Sequence, residues 1–332
     1  MSPDRGMSRA IWPPGYSRVM VSRRVVAPVP PPELRPAWPG STVDAQGRSL
    51  YVRRAGTAGS PPAVFVHGLG GSATNWTDLM DLLSGDLDSH AVDLPGHGRS
   101  APPARGRYDL DSHAAAVVGY IESHGLGPVH LLGNSMGGAI STRIAAERPD
   151  LVRSLTLISP ALPHLNRAKG SDPRLPLLLM PGLSGLTRRY LARLPAEQRV
   201  QSVIDVCFAD PSRIPAQRLA ETIEEARRRQ SLPWALDSLV GSLRGIARAY
   251  VDRSSRNLWS QAALVSAPTL LVYGKQDRMV SFTTAAKAAA TFPNSRLLAL
   301  DHVGHVAQME DPATVAEAVR ELLAGADAAL VG

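Results

Sequence analysis

From Ser41 onward, short apolar runs recur along the chain, each closed by a glycine, proline or aspartate. They read “PAVFVHG” (62–68), “SHAVDLPGHG” (89–98), “PVHLLGNS” (128–135), “VRSLTLISP” (152–160), “PTLLVYGKQD” (268–277) and “SRLLALDHVGH” (295–305). None alternates with polar residues, the pattern of strands buried on both faces. Ahead of them, “STVDAQGRSLYVRRAG” (41–56) predicts two strands around the turn Gln46-Gly47. Helical periodicity fills the intervals, as in Asp111 to Glu122 and Ala313 to Leu323. Strands alternating with helices predict an α/β fold with a mostly parallel sheet.

Two regions depart from this rhythm. Residues 1–40, rich in proline and arginine, are expected to form a flexible or extended arm. Residues 161–262 carry helical patterns, including “AQRLAETIEEARRRQ” (216–230), and no clear strand. They predict a helical cap inserted into a core made of 41–160 and 263–325. The apolar run Leu175 to Leu183 within the cap is expected either to line an acyl pocket or to pack between cap and core.

Composition changes this picture little. The 332 residues are 44% hydrophobic and 20% charged, as in a globular protein able to bury a sizeable core. Of 36 basic residues, 33 are arginine, and the net charge is +7. With no recognised nucleic-acid module, we read this charge as a compositional bias and expect no nucleic-acid partner. The run Arg227-Arg228-Arg229 is read as a solvated helix face. Cys207 is the sole cysteine, which excludes an intrachain disulfide, and its apolar setting suggests a buried thiol. No segment is apolar enough to span a membrane, and the N-terminal region lacks a secretory h-region. A cytoplasmic protein is the expectation, with peripheral lipid contact left open.

Chemistry enters at “GNSMG” (133–137), where Ser135 stands between a strand and a helix. Glycines at 133 and 137 permit the tight turn that exposes a serine hydroxyl. A hydroxyl needs a base, and His305 lies just past the last strand. His302 is its rival. Asp277, after the preceding strand, is the carboxylate that would fix the base's tautomer, with Asp301 a weaker candidate. The oxyanion would be held by the backbone N–H groups of Met136 and Leu69. His67 and Gly68 are expected to brace the loop carrying Leu69, and Gly133, Asn134 and Gly137 to frame the serine.

“HGLGGS”, “DLPGHGRS”, “GNSMGG”, “GKQD” and “GHVAQMEDP” follow in an order and spacing that resembles the α/β-hydrolase superfamily over about residues 41–325. The resemblance implies an eight-stranded, mostly parallel sheet under a cap, and a serine hydrolase needing no cofactor or metal. It is similar to carboxylesterase and monoacylglycerol-lipase-like members, so a small-molecule ester is the expected substrate. Serine at 135 sets the chain apart from haloalkane dehalogenases and epoxide hydrolases, which carry aspartate there. “GNSMGG” is also similar to the C–C hydrolases of meta-ring-fission products. Val306 and “GLGGSA” depart from the tryptophan and Gly-Pro-Gly usual in that family. Thioesterase, lactonase and haloperoxidase-like activities share this machinery, and a non-catalytic binding role is a further alternative.

Overall fold

The computed structural model describes residues 18–22, 34–164 and 193–331. Nine strands form one sheet among the described residues: β1 (Arg18–Ser22), β2 (Gly40–Asp44), β3 (Ser49–Ala55), β4 (Pro62–Val66), β5 (Asp88–Val92), β6 (Val129–Asn134), β7 (Val152–Ile158), β8 (Thr269–Gly274) and β9 (Ser295–Leu300). Their order is β1-β9-β8-β7-β6-β4-β5-β3-β2. β2 pairs antiparallel with β3, and β3 with β5; every other pairing is parallel. Eight of these are the expected strands. The ninth, β1, comes from the arm expected to be flexible or extended. Its “RVMVS” run places valines at alternate positions, and it adds to the open edge of β9.

Ten helices accompany the sheet among the described residues. α1 is Thr77–Leu82, α2 Leu110–Ser123, α3 Met136–Glu147, α4 Ala196–Cys207 and α5 Ala216–Gln230. α6 is Ala235–Val251, α7 Leu258–Ala262, α8 Thr283–Thr291, α9 Ala307–Glu310 and α10 Pro312–Val331. Successive strand residues face opposite layers, which is why the runs show no polar alternation. Val64, Val66, Leu131, Leu157 and Leu271 pack with α2, α3, α7 and α8. Ala63, Phe65, Leu132, Ile158 and Val272 pack with α1, α9 and α10. No helix among the described residues is long and apolar enough to cross a membrane.

Between β7 and β8, the described residues are helical. α5 is tied to α1 by Arg218, which donates to Asp78 Oδ1 at 2.6 Å and is itself buried. α6 rests on the loops that follow β4 and β5. A Cβ on Gly70 would sit 3.4 Å from Leu239, and one on Gly241 would sit 2.6 Å from the Tyr108 ring. α7 belongs with the core, since Leu258 and Ala262 join the cluster around α3. The Leu175 to Leu183 run lies outside the described residues.

Candidate active site

Ser135 stands at the junction of β6 and α3 with φ 55° and ψ −117°. For a residue with a Cβ this is a strained conformation, held only where the surroundings over-determine it. The surroundings here are tight. Ser135 N donates to Ile158 O at 3.0 Å, and Ser135 O accepts from Ala139 N and Ala161 N at 3.1 and 2.9 Å. A Cβ on Gly133 would lie 2.4 Å from Gly137 O, and one on Gly137 would lie 2.1 Å from Val66 O. Both glycines are thus required by backbone crowding. Gly137→Ala is expected to lower stability by about 2 kcal/mol or more, because the obstructing atom is main chain and cannot rotate away. A urea midpoint equal to that of wild type would contradict this packing.

The sheet order explains what gathers around the serine. β4 connects to β5 on one side, while β6 connects onward to β7 on the other, so the chain's winding reverses between the neighbours β4 and β6. In such sheets the crevice for ligands opens at the carboxyl ends of these strands. The loop after β4 carries Gly68, whose Cβ position is 3.1 Å from Ser135 Cβ. Leu69 follows directly. Met136, the first residue of α3, places its amide at the positive end of a helix beside the serine.

His67 holds the β4 loop. Its Nε2 accepts from Leu94 N at 3.0 Å, so the ring proton resides on Nδ1, which donates to Gly68 O at 2.8 Å. Burial drives its pKa down to about 3. A neutral ring with both nitrogens engaged ties the β4 loop to Leu94 and has no free nitrogen for a second base.

His305 and Asp277 meet at the same sheet edge, past the ends of β9 and β8. His305 Nδ1 lies 2.8 Å from Asp277 Oδ2, and the carboxylate is fully buried. Asp277 Oδ1 accepts from Met279 N and Val280 N at 2.7 and 2.9 Å. Burial pushes the Asp277 carboxyl up, but the His305 charge, its hydrogen bond and the two amides outweigh it, leaving the pKa below the ordinary value. An ionised carboxylate only accepts, so in the neutral ring the proton sits on Nδ1 and the lone pair on Nε2. The rivals are engaged elsewhere. His302 Nε2 is 3.0 Å from Asp311 Oδ2, and half-exposed Asp301 pairs with Lys275 at 2.7 Å.

Other contacts escape a motif search. Asn134 Nδ2 donates both to Ile158 O at 3.0 Å and to His305 O at 3.1 Å, tying the elbow to the histidine loop. Arg228 and Arg229 turn inward from α5, donating to Gly98 O and to Gly70 O. Only Arg227 keeps the solvated position expected of the whole run, 65% exposed and paired with Glu197. Residues three and four apart share a helix face, so a run of three arginines cannot all point to solvent when one side of the helix is packed. Cys207 is half-buried, and desolvation pushes its thiol up to about 12, away from the reactive thiolate.

Buried histidines give the protein a pH signature. Burial lowers the pKa of His67 to about 3 and of His113 to about 4, and also lowers His97 and His90. The unfolded chain takes up these protons near pH ~6.5 while the folded chain refuses them, so stability falls as pH drops. Asp93, raised by burial to about 6, and Glu310, also raised, act in the opposite sense because the folded chain holds their protons more firmly. The histidines outnumber them. Tm is expected to decline between about pH 7 and about pH 5. A flat or rising Tm there would contradict neutral burial of these rings.

Residues 61–312 match the model of the alpha/beta hydrolase fold family. The chain is 31% identical over 264 residues to the dihydrolipoyllysine-residue acetyltransferase component of the acetoin cleaving system of Pseudomonas putida. That alignment covers 80% of this chain and 64% of the relative, so the chain spans less than two thirds of that protein's length. It is 30% identical to 2-hydroxy-6-oxononadienedioate/2-hydroxy-6-oxononatrienedioate hydrolase 2 of Pseudomonas putida, covering 76% of this chain and 84% of the relative. It is 26% identical to monoacylglycerol lipase abhd6-B of Xenopus laevis, covering 82% and 78% respectively.

Proposed function

Because the chain belongs to the alpha/beta hydrolase fold family, we propose that it is a serine hydrolase cleaving carboxylic esters through an acyl-enzyme. The observation that carries this reading is the strained backbone of Ser135, φ 55°, at the mouth of the β4–β6 crevice. Such strain is costly and clusters where a side chain must be presented for chemistry.

In the proposed cycle, Ser135 Oγ attacks the ester carbonyl while His305 Nε2 takes its proton. Asp277 fixes the tautomer and stabilises the imidazolium that forms. The amides of Met136 and Leu69 receive the oxyanion, with the α3 dipole adding to the field. His305 then protonates the leaving alcohol. It next activates a water that releases the acid and restores Ser135. His67, Gly68, Gly133, Asn134 and Gly137 hold these groups in place without reacting. Identity to a monoacylglycerol lipase supports an ester substrate with an apolar acyl chain.

The relative named as an oxononadienedioate hydrolase favours a second reading, cleavage of a C–C bond beside a ketone by the same residues. The two separate by experiment. Initial rates on p-nitrophenyl esters from acetyl to palmitoyl, beside a ring-fission dienoate, are expected to show ester turnover with a chain-length optimum. Turnover of the dienoate alone would establish the second reading, and turnover of neither would remove both.

A further inference from the structure

The loop bearing His305 is held from both sides. On the core side, Asn134 Nδ2 donates to His305 O at 3.1 Å. On the side of the inserted helices, His305 N donates to Cys207 O at 2.7 Å, at the carboxyl end of α4. Glu310 spans the same seam. Its Oε1 accepts from Gly304 N at 2.8 Å, beside the histidine, and its Oε2 accepts from Ala209 N at 2.7 Å, just past α4. The clearance is nil, since a Cβ on Gly304 would lie 2.5 Å from Cys207 O and 2.8 Å from Ala209 N.

Glu310 is an unusual choice for this place. It is half-buried and burial raises its pKa, against the pull of the backbone amides around it and of the Arg213 charge. Its carboxylate oxygens take their hydrogen bonds from backbone amides. A neutral apolar side chain would avoid the desolvation but leave two inward-facing N–H groups without partners. A carboxylate is the side chain that accepts two donors at once, one through each oxygen.

We propose that Glu310 is a positioning residue that locks the His305 loop to the end of α4 and thereby sets the placement of the catalytic base. This rests on the reading of Ser135 and His305 as the acylating pair. Glutamine at 310 keeps the volume but offers one acceptor oxygen and turns an NH2 toward an N–H. One of the two hydrogen bonds that Glu310 makes across the seam is then lost. Since a displacement of the base by a fraction of an ångström slows proton transfer without altering substrate binding, kcat should suffer and KM should not.

The test uses the full chain and three proteins: wild type, Glu310→Gln and Arg218→Met. Arg218→Met cuts a different tie of the inserted helices, to Asp78 on α1. The expected result is a fall in kcat of about tenfold or more for Glu310→Gln with KM within about twofold. Arg218→Met is expected to lower Tm while leaving kcat within about threefold of wild type. Amide exchange at Gly304, His305 and Ala209 should quicken in Glu310→Gln alone. Equal kcat losses in both variants, or unchanged kcat and exchange in Glu310→Gln, would overturn the proposal. Fluorophosphonate uptake by wild type is measured first. Its absence would remove the acylation reading and with it the role of base, whereas uptake with unchanged exchange would overturn the clamp itself.

Discussion

Ser135→Ala is expected to abolish ester turnover, with kcat falling by about 10⁴-fold to 10⁶-fold while the protein stays folded. The size follows from the proposed chemistry. Without Oγ no acyl-enzyme forms, and only water held against the oxyanion donors could react. The fold should tolerate the change because alanine keeps the Cβ that the strained backbone already accommodates. The backbone bonds of Ser135 to Ile158, Ala139 and Ala161 do not involve the side chain. Circular dichroism and a urea midpoint near those of wild type, with turnover lost, are the predicted pair of results. Turnover within about tenfold of wild type would place the nucleophile elsewhere.

Asp277→Asn is expected to cost about 10⁴-fold in kcat with the smaller effect on KM. The Asp277 Oδ1 contacts with Met279 N and Val280 N can persist through an amide oxygen. At Oδ2 the change inverts the hydrogen bond to His305. An amide NH2 there donates, so Nδ1 must accept and the ring proton moves to Nε2. The nitrogen facing the substrate would then carry a proton where a lone pair is needed. Stability should register the change as well. A carboxyl whose folded pKa is depressed contributes stability that is complete above its unfolded value and is lost as pH falls through the folded value. Asp277→Asn should therefore flatten the acid limb of the Tm profile. A variant retaining about a third of wild-type kcat would show that the carboxylate does not control the tautomer.

Much of this arrangement was legible in the chain because it rests on local rules. Apolar runs without polar alternation mark strands covered on both sides, and the layers on either face of β4 and β6 bear this out. Gly133 and Gly137 announce the elbow because no other residue fits against Gly137 O and Val66 O. β1 was hidden for a physical reason. Its residues sit among arginines and prolines, and strand pairing to β9 is a tertiary event that composition does not encode. Arg229 was hidden likewise. A run of three arginines looks solvated, and only the helix phase turns Arg229 toward the loop carbonyl of Gly70. Glu310 stands in the quoted “GHVAQMEDP”, yet its partner Ala209 lies about a hundred positions away, beyond any local signal.

The most direct measurement is the intact mass of the protein quenched during turnover of a p-nitrophenyl ester, followed by mapping of any adduct. The account predicts a mass increase equal to the acyl group, located on the peptide that carries Ser135, and no adduct in Ser135→Ala. Hydrolysis without an adduct at Ser135, or an adduct on another residue, would contradict it.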